Sequence, residues 1–226
     1  MPNKNIRPLL GKPIIAWTIE EAKKSRLLTR TIVSTDSEEI ASIATQYGGE
    51  APFLRPAELA GDLSLGEEFL LHALDWLKAK ESYEPDIVLR LPPTSPLRTA
   101  AHIDEGIQKL IDTPEADSVR PIMESPKHPY KMWKVSTGGK WLEPFLPEAV
   151  TKMREPYNQS RQALPEVYIH TGAMDVMRLR TIRELKSTSG EKIAYFRMAP
   201  EDSVNIDSEI DLLLCEILLR HRLDLR

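Results

Sequence analysis

The strongest constraint on this chain is an alternation. Short β-branched runs, RTIVSTD (30–36), EAPFLRP (50–56), PDIVLRL (85–91) and DSVRPIM (117–123), are separated by stretches with helical spacing. The first helix is expected over 13–25, with Pro13 in its first turn and Ile15, Ile19 and Ala22 on one face. The second follows a cap at Asp36 or Ser37 and stops at Gly48. Phe69, Leu70, Ala73, Leu74 and Leu77 mark a third over 64–80, and Ile103, Ile107, Leu110 and Ile111 a fourth. A helix between two strands carries the chain back to the same end of a sheet, so the pattern predicts βαβ units and a mostly parallel sheet.

The pattern breaks after the fourth strand. YKMWKVSTGGKWLEPF (130–145) places two strand-like runs around Thr-Gly-Gly, a hairpin signal, and 146–165 mixes prolines with a charged helical piece. These residues read as an excursion from a single domain, at about 125–170. Strand character returns at EVYIHTGAMDVMR (166–178) and KIAYFRMA (192–199), and DSEIDLLLCEILLRHRL (207–223) is a terminal amphipathic helix.

Composition narrows the function. The formal charge is −4 over 226 residues, with no Lys/Arg run, which argues against nucleic acid as a partner. No apolar stretch is long enough to span a bilayer and no signal-peptide pattern precedes the first helix, so a cytoplasmic, membrane-free protein is expected. The single Cys215 lies among leucines and reads as a buried helix position. The five histidines have no metal-ligand spacing.

In open parallel sheets ligands gather at the carboxyl ends of strands. The segments PNKN, STD, RPAELAGD, PPTSPLR, HTGAMD and VNID would place Lys4, Arg55, Arg98, Thr94, Ser95, Asp62 and Asp207 there. Cations with carboxylates are what a magnesium–triphosphate site requires. Each residue also has a plainer explanation: Asp207 as a helix N-cap with Asp211 behind it, Arg55, Arg98, Arg161 and Gln162 as solvated side chains, Thr94-Ser95 as turn chemistry.

The order of these stretches is more specific than any one of them. PNKNIRPLLGKPIIAWTI, IVSTDSEEIASIA, LRPAELAGD, PTSPLR, SRQALP, TGA and DSVNIDSEIDLLLCE together resemble the acylneuraminate cytidylyltransferase family, which activates nine-carbon acidic sugars. The resemblance runs from residue 2 to about 219. It implies an α/β fold with a three-layer α/β/α Rossmann-like core of the nucleotide-diphospho-sugar transferase type, and a homodimer formed through the excursion. It also implies transfer of CMP from CTP to the sugar's anomeric hydroxyl, assisted by Mg²⁺, with release of pyrophosphate. Lys4, Arg98 and Asp207 would be catalytic, and Lys4, Asn5, Arg55 and Asp62 would bind the nucleotide. Thr94, Ser95, Arg98, Arg161, Gln162 and Thr171 would bind the sugar, Arg161 through its carboxylate, while Asp207 and Asn205 would hold the metal.

Four departures accompany the resemblance. The family's first strand and its A-R-x-x-S-K-G loop precede the segment matching PNKN and are lacking here, a loss expected to expose two inner strand edges. Pro92 stands where a Gln is common, Asn205-x-Asp207 replaces an Asp-x-Asp pair, and IHTGA (169–173) replaces R-x-N-G-A. These changes point to a sugar other than common sialic acid, of the legionaminic or pseudaminic type. A non-catalytic dimeric scaffold, or a nucleotidyltransferase for another base or an eight-carbon acid, remain the alternative expectations.

Overall fold

A computed structural model describes residues 3–59 and 66–225. The chain divides into two compact units, Met1–Ile122 with His170–Arg226, and Met123–Ile169. The first unit opens with a two-residue hairpin, β1 (Pro8–Leu9) and β2 (Lys12–Pro13), closed by Leu10 at φ 50° and Gly11 at φ 75°. Two successive positive φ values suit a tight hairpin turn, and Gly11 adopts its value without a Cβ penalty. Helix α1 (Ile14–Lys24) follows, with Pro13 just before it, where a missing N–H costs nothing.

Residues 30–36 and 50–56 form less strand than their composition predicts. They pair in parallel through the single bridge Ile32–Glu50, with Val33 N donating to Glu50 O at 2.7 Å and Arg55 N to Thr35 O at 2.8 Å. Helix α2 (Glu38–Gln46) lies between them, capped by Ser37 rather than Asp36. Helix α3 (Gly66–Glu81) leads to β3 (Ile87–Arg90), and α4 (Ala100–Ile111), capped by Thr99, leads to β4 (Ser118–Glu124).

The first unit resumes at His170, the last residue of β7 (Tyr168–His170), and β8 (Asp175–Arg178), α6 (Leu179–Arg183), β9 (Ile193–Arg197) and α7 (Glu209–Arg222) complete it. Here the expected mostly parallel sheet needs correction. Strand β8 runs antiparallel to β3, Val88 opposite Met177, and antiparallel to β4, Val119 opposite Val176, whereas β4 with β9 is parallel, like the bridge Ile32–Glu50. No helix joins β7 to β8, so the crossover argument that makes neighbours parallel does not govern this strand.

Helices cover both faces of this sheet. Ile103, Ile107 and Leu110 of α4 pack with Val119, Val176 and Phe196 on one face. Leu70 and Leu74 of α3, with Ile182 of α6, pack with Met177 and Val88 on the other. Each such side chain contributes about 1.5–3 kcal/mol on burial. A third cluster ties α7 to the N-terminal hairpin: Leu9, Ile14, Leu97, Ile206, Cys215 and Leu219 are all buried together. Cys215 is thus a core residue, and burial pushes its thiol up to about 12.

The second unit contains the hairpin β5 (Trp133–Val135) and β6 (Leu142–Pro144), turned at Gly138 and Gly139, and the short helix α5 (Glu148–Thr151). Trp133 packs against Tyr157 with the ring centroids 4.5 Å apart and the planes tilted by 49°. Trp141, Leu142, Phe145 and Val150 are exposed on this unit. Among the described residues, no helix is long and apolar enough to cross a membrane.

Candidate functional site

The polar segments converge where α7 begins. Ser208, not Asp207, caps this helix: Asp211 N donates to its hydroxyl, and Asp211 accepts from Ser208 N at 2.7 Å in a capping box. The Asp207 N–H also donates to Asp211 Oδ2, at 3.1 Å, but its carboxylate takes no part in the cap and projects with 68% of the side chain exposed. Lys4, on a single 3₁₀ turn ahead of the hairpin, brings Nζ to 3.1 Å from Asp207 Oδ1. Asn205 Nδ2 donates to the other oxygen, Oδ2, at 2.8 Å. Beside this pair, Arg7 forms a two-pronged ion pair with Glu209, which holds the carboxyl of Glu209 below its ordinary range.

The PPTSPLR loop is fastened to the same place. Ile206 N donates to Thr94 O at 2.8 Å, and Ser95 Oγ donates to Asn205 Oδ1 at 3.3 Å. Ser95 is 1% exposed, so its hydroxyl orients Asn205 instead of facing a ligand. The tertiary fold thus joins Lys4, Thr94, Ser95, Asn205 and Asp207 into one cluster.

Arg98 has a different part from the catalytic and sugar-binding one expected of it. Its guanidinium is buried, donating to Ala173 O, to Pro92 O at 3.4 Å and to Thr18 Oγ1 at 2.9 Å. Burial pulls it down to about 9, only partly countered by Glu21. A side chain spent on two carbonyls and a hydroxyl inside the protein cannot reach a sugar; it clamps the PTSPLR loop to the turn before β8. Thr171, expected at the sugar, is also buried, and its hydroxyl accepts from Ala173 N at 3.3 Å within that turn.

Arg55 sits 5.7 Å from the Phe69 ring and 3.8 Å from the Asp36 carboxylate. Asp62 lies outside the described residues. Asn5 shares the 3₁₀ turn of Lys4. Arg161 and Gln162 belong to the second unit, where Arg161 bonds Glu124 at 2.7 Å, Ser125 O at 2.6 Å and Pro126 O at 3.3 Å. Two charged strand residues, Arg90 and Arg120, escaped the sequence reading, although an arginine inside a β-branched run is itself a signal.

A model of the cytidylyltransferase family matches residues 1–202. The chain belongs to that family. It is a nucleotidyltransferase by membership. It is 29% identical over 223 residues to the post-translational flagellin modification protein B of Campylobacter coli, covering 97% of this chain and 89% of that one. It is 31% identical over 225 residues to a CMP-N,N'-diacetyllegionaminic acid synthase of Legionella pneumophila, covering 97% and 90%. The solved structure of a CMP:2-keto-3-deoxy-manno-octonic acid synthetase complexed with CTP superposes with a TM-score of 0.69 over 98% of this chain and 93% of that chain. Its identity is 16%, so this likeness concerns the fold alone.

Proposed function

We propose that the protein transfers CMP from CTP to the anomeric hydroxyl of a nonulosonic acid of the legionaminic or pseudaminic type. The observation that carries this reading is the Lys4–Asp207–Asn205 cluster, fastened to the PPTSPLR loop in a chain of the cytidylyltransferase family. In the reaction the anomeric oxygen bonds to the α-phosphorus, the bond from that phosphorus to the oxygen bridging to the β-phosphate breaks, pyrophosphate departs with that oxygen, and the hydroxyl proton passes to water. Lys4 supplies a cation at the phosphates, with Asn5 beside it, and Arg55 contributes a second charge toward the nucleotide.

The donor set fits magnesium in a sparse form. Among the described residues no three His, Cys, Asp or Glu side chains converge, so an all-protein cage is absent. One carboxylate with an amide oxygen, completed by phosphate oxygens and water, is a common magnesium arrangement. Asp207 would hold the ion and Asn205 Oδ1, steadied by Ser95, would assist. When bound, the ion offsets charge on the phosphates.

The protein works in this reading as a homodimer in the cytoplasm. The exposed Trp141, Leu142, Phe145 and Val150 supply an apolar surface for a second copy. Gln162 of that copy would contribute to sugar binding.

The test is pyrophosphate release from CTP with Mg²⁺ and a panel of legionaminic, pseudaminic, N-acetylneuraminic and 3-deoxy-octonic acids. Release with a nine-carbon acid and CTP, and not with the other triphosphates, is expected. Release with another triphosphate, or with the octonic acid alone, would replace this reading by a neighbouring one.

A further inference from the structure

A second charged cluster lies on the sheet of the first unit. Arg90 ends β3, Arg120 is the third residue of β4, and Asp175 begins β8. Strand alternation puts Arg90 on the face of Val88 and Asp175 on the face of Met177, the face covered further along by α3. Asp175 is 1% exposed, with Arg90 Nη2 at 2.7 Å from its Oδ2 and Arg120 Nε at 3.2 Å from its Oδ1. His170 closes a third side, Nε2 at 3.6 Å from Oδ1, and donates to Met174 O at 3.3 Å. Arg120 Nη2 is further fixed by Ser189 Oγ at 2.6 Å.

This arrangement exceeds what a stable core requires. A buried carboxylate needs one counter-charge, and an apolar set of similar volume is often as stable as a buried ion pair or more so. Here two guanidiniums share one carboxylate, which leaves a net positive charge. Asp175 Oδ1 and the Nε atoms of Arg90 and Arg120 are buried without a geometrically sound hydrogen bond, so the pairs are incompletely satisfied. Both arginines keep an open side, 36% of the side chain for Arg90 and 28% for Arg120. Planar donors held in fixed orientation by a buried anion suit a second planar anion at the open side.

We infer that Arg90 and Arg120, oriented by Asp175, form a carboxylate-binding subsite that takes the acid group of the sugar. The inference rests on the proposed transfer to an acidic sugar, and it assigns the carboxylate to this chain's own sheet instead of to Arg161. The guanidinium of Arg161 is already engaged by Glu124 and two carbonyls within the second unit. The Lys4–Asp207 cluster remains the phosphate end of the reaction. Arg90 and Arg120 then select acceptors by their charge, and the chemistry proceeds at Lys4 and Asp207.

The experiment is calorimetric titration of the protein with each of the four acids and with the methyl ester of the one bound best. The native protein is expected to bind the free acid about 10- to 100-fold more tightly than the ester, the range of charge-assisted hydrogen bonds. In the charge-balanced double variant Arg120→Gln with Asp175→Asn, this preference should collapse while ester affinity holds. Arg120→Lys, a milder change, should reduce the preference in part, because it keeps charge and loses the planar fork. Arg161→Ala should leave it intact. Equal affinity of the native protein for acid and ester overturns the inference without any variant, as does failure to bind all four acids. A preference abolished by Arg161→Ala and untouched at Arg120, or suppression of acid binding by pyrophosphate at equal concentration, overturns it too. CTP titrated into the same native sample reports separately on the transferase reading, which stands if CTP binds and the acid–ester preference is missing.

Discussion

Lys4 Nζ and Asp207 Oδ1 lie 3.1 Å apart although 203 residues separate them in sequence. The N-terminal turn and the entry to the last helix meet because Leu9, Ile14, Ile206 and Cys215 share one apolar cluster. The Lys4–Asp207 pair is therefore held by packing beneath it, not by its own attraction, which is small for groups this exposed.

Asp207→Asn should lower turnover by about 10²-fold and raise the magnesium concentration needed for half-maximal rate. The fold should be unaffected, since the capping box at Ser208 and Asp211 is untouched. Pyrophosphate release measured against magnesium checks this; activity within a few-fold of the native enzyme would remove Asp207 from the site.

Ser208→Ala should do the reverse. Loss of the N-cap acceptor costs about 1 kcal/mol of stability, read as a lower urea midpoint at unchanged slope. Turnover at temperatures well below melting should stay close to native. A stability loss at Asp207→Asn equal to that at Ser208→Ala would mean that Asp207 shares the capping duty.

Arg98→Leu should destabilise by about 3 kcal/mol, because Ala173 O and Thr18 Oγ1 lose a donor in a dry setting. Arg98→Lys should recover only part of that, since one ammonium cannot serve two carbonyls and a hydroxyl in the same plane. Urea unfolding of both variants is the measurement. A stable Arg98→Leu variant that fails only in catalysis would return Arg98 to the substrate.

Stability should fall as pH drops below the ordinary histidine value of 6.5, with His102 contributing. Burial holds the His102 proton affinity below that value in the folded state, against the pull of Asp202. The unfolded chain then takes up a proton that the folded one refuses, so this contribution is present above 6.5 and is lost as pH falls toward the lower folded value. His102→Gln keeps a helix-capping acceptor and should flatten the decline. Melting temperatures of both proteins across this range decide the matter, and parallel curves would exclude His102 as a source.

The helices were legible because their apolar spacing is local: α1, α3 and α7 fall within two residues of the expected bounds, and α4 contains the four apolar residues that marked it. The hairpin at 130–145 was legible for the same reason, since Thr-Gly-Gly admits few backbones. Motif order along the chain was enough to indicate the family. Three things were decided only by the tertiary structure. Strand β8 is antiparallel because the chain re-enters the sheet from the second unit without a crossover helix. Arg98 is an internal clamp and Ser208 the helix cap because neighbouring elements, not sequence spacing, determine which polar groups are enclosed. Arg90, Arg120 and Asp175 meet across three strands whose register no local pattern encodes. Local propensity fixes what each segment can be, while the fate of a charged side chain depends on what the fold brings against it.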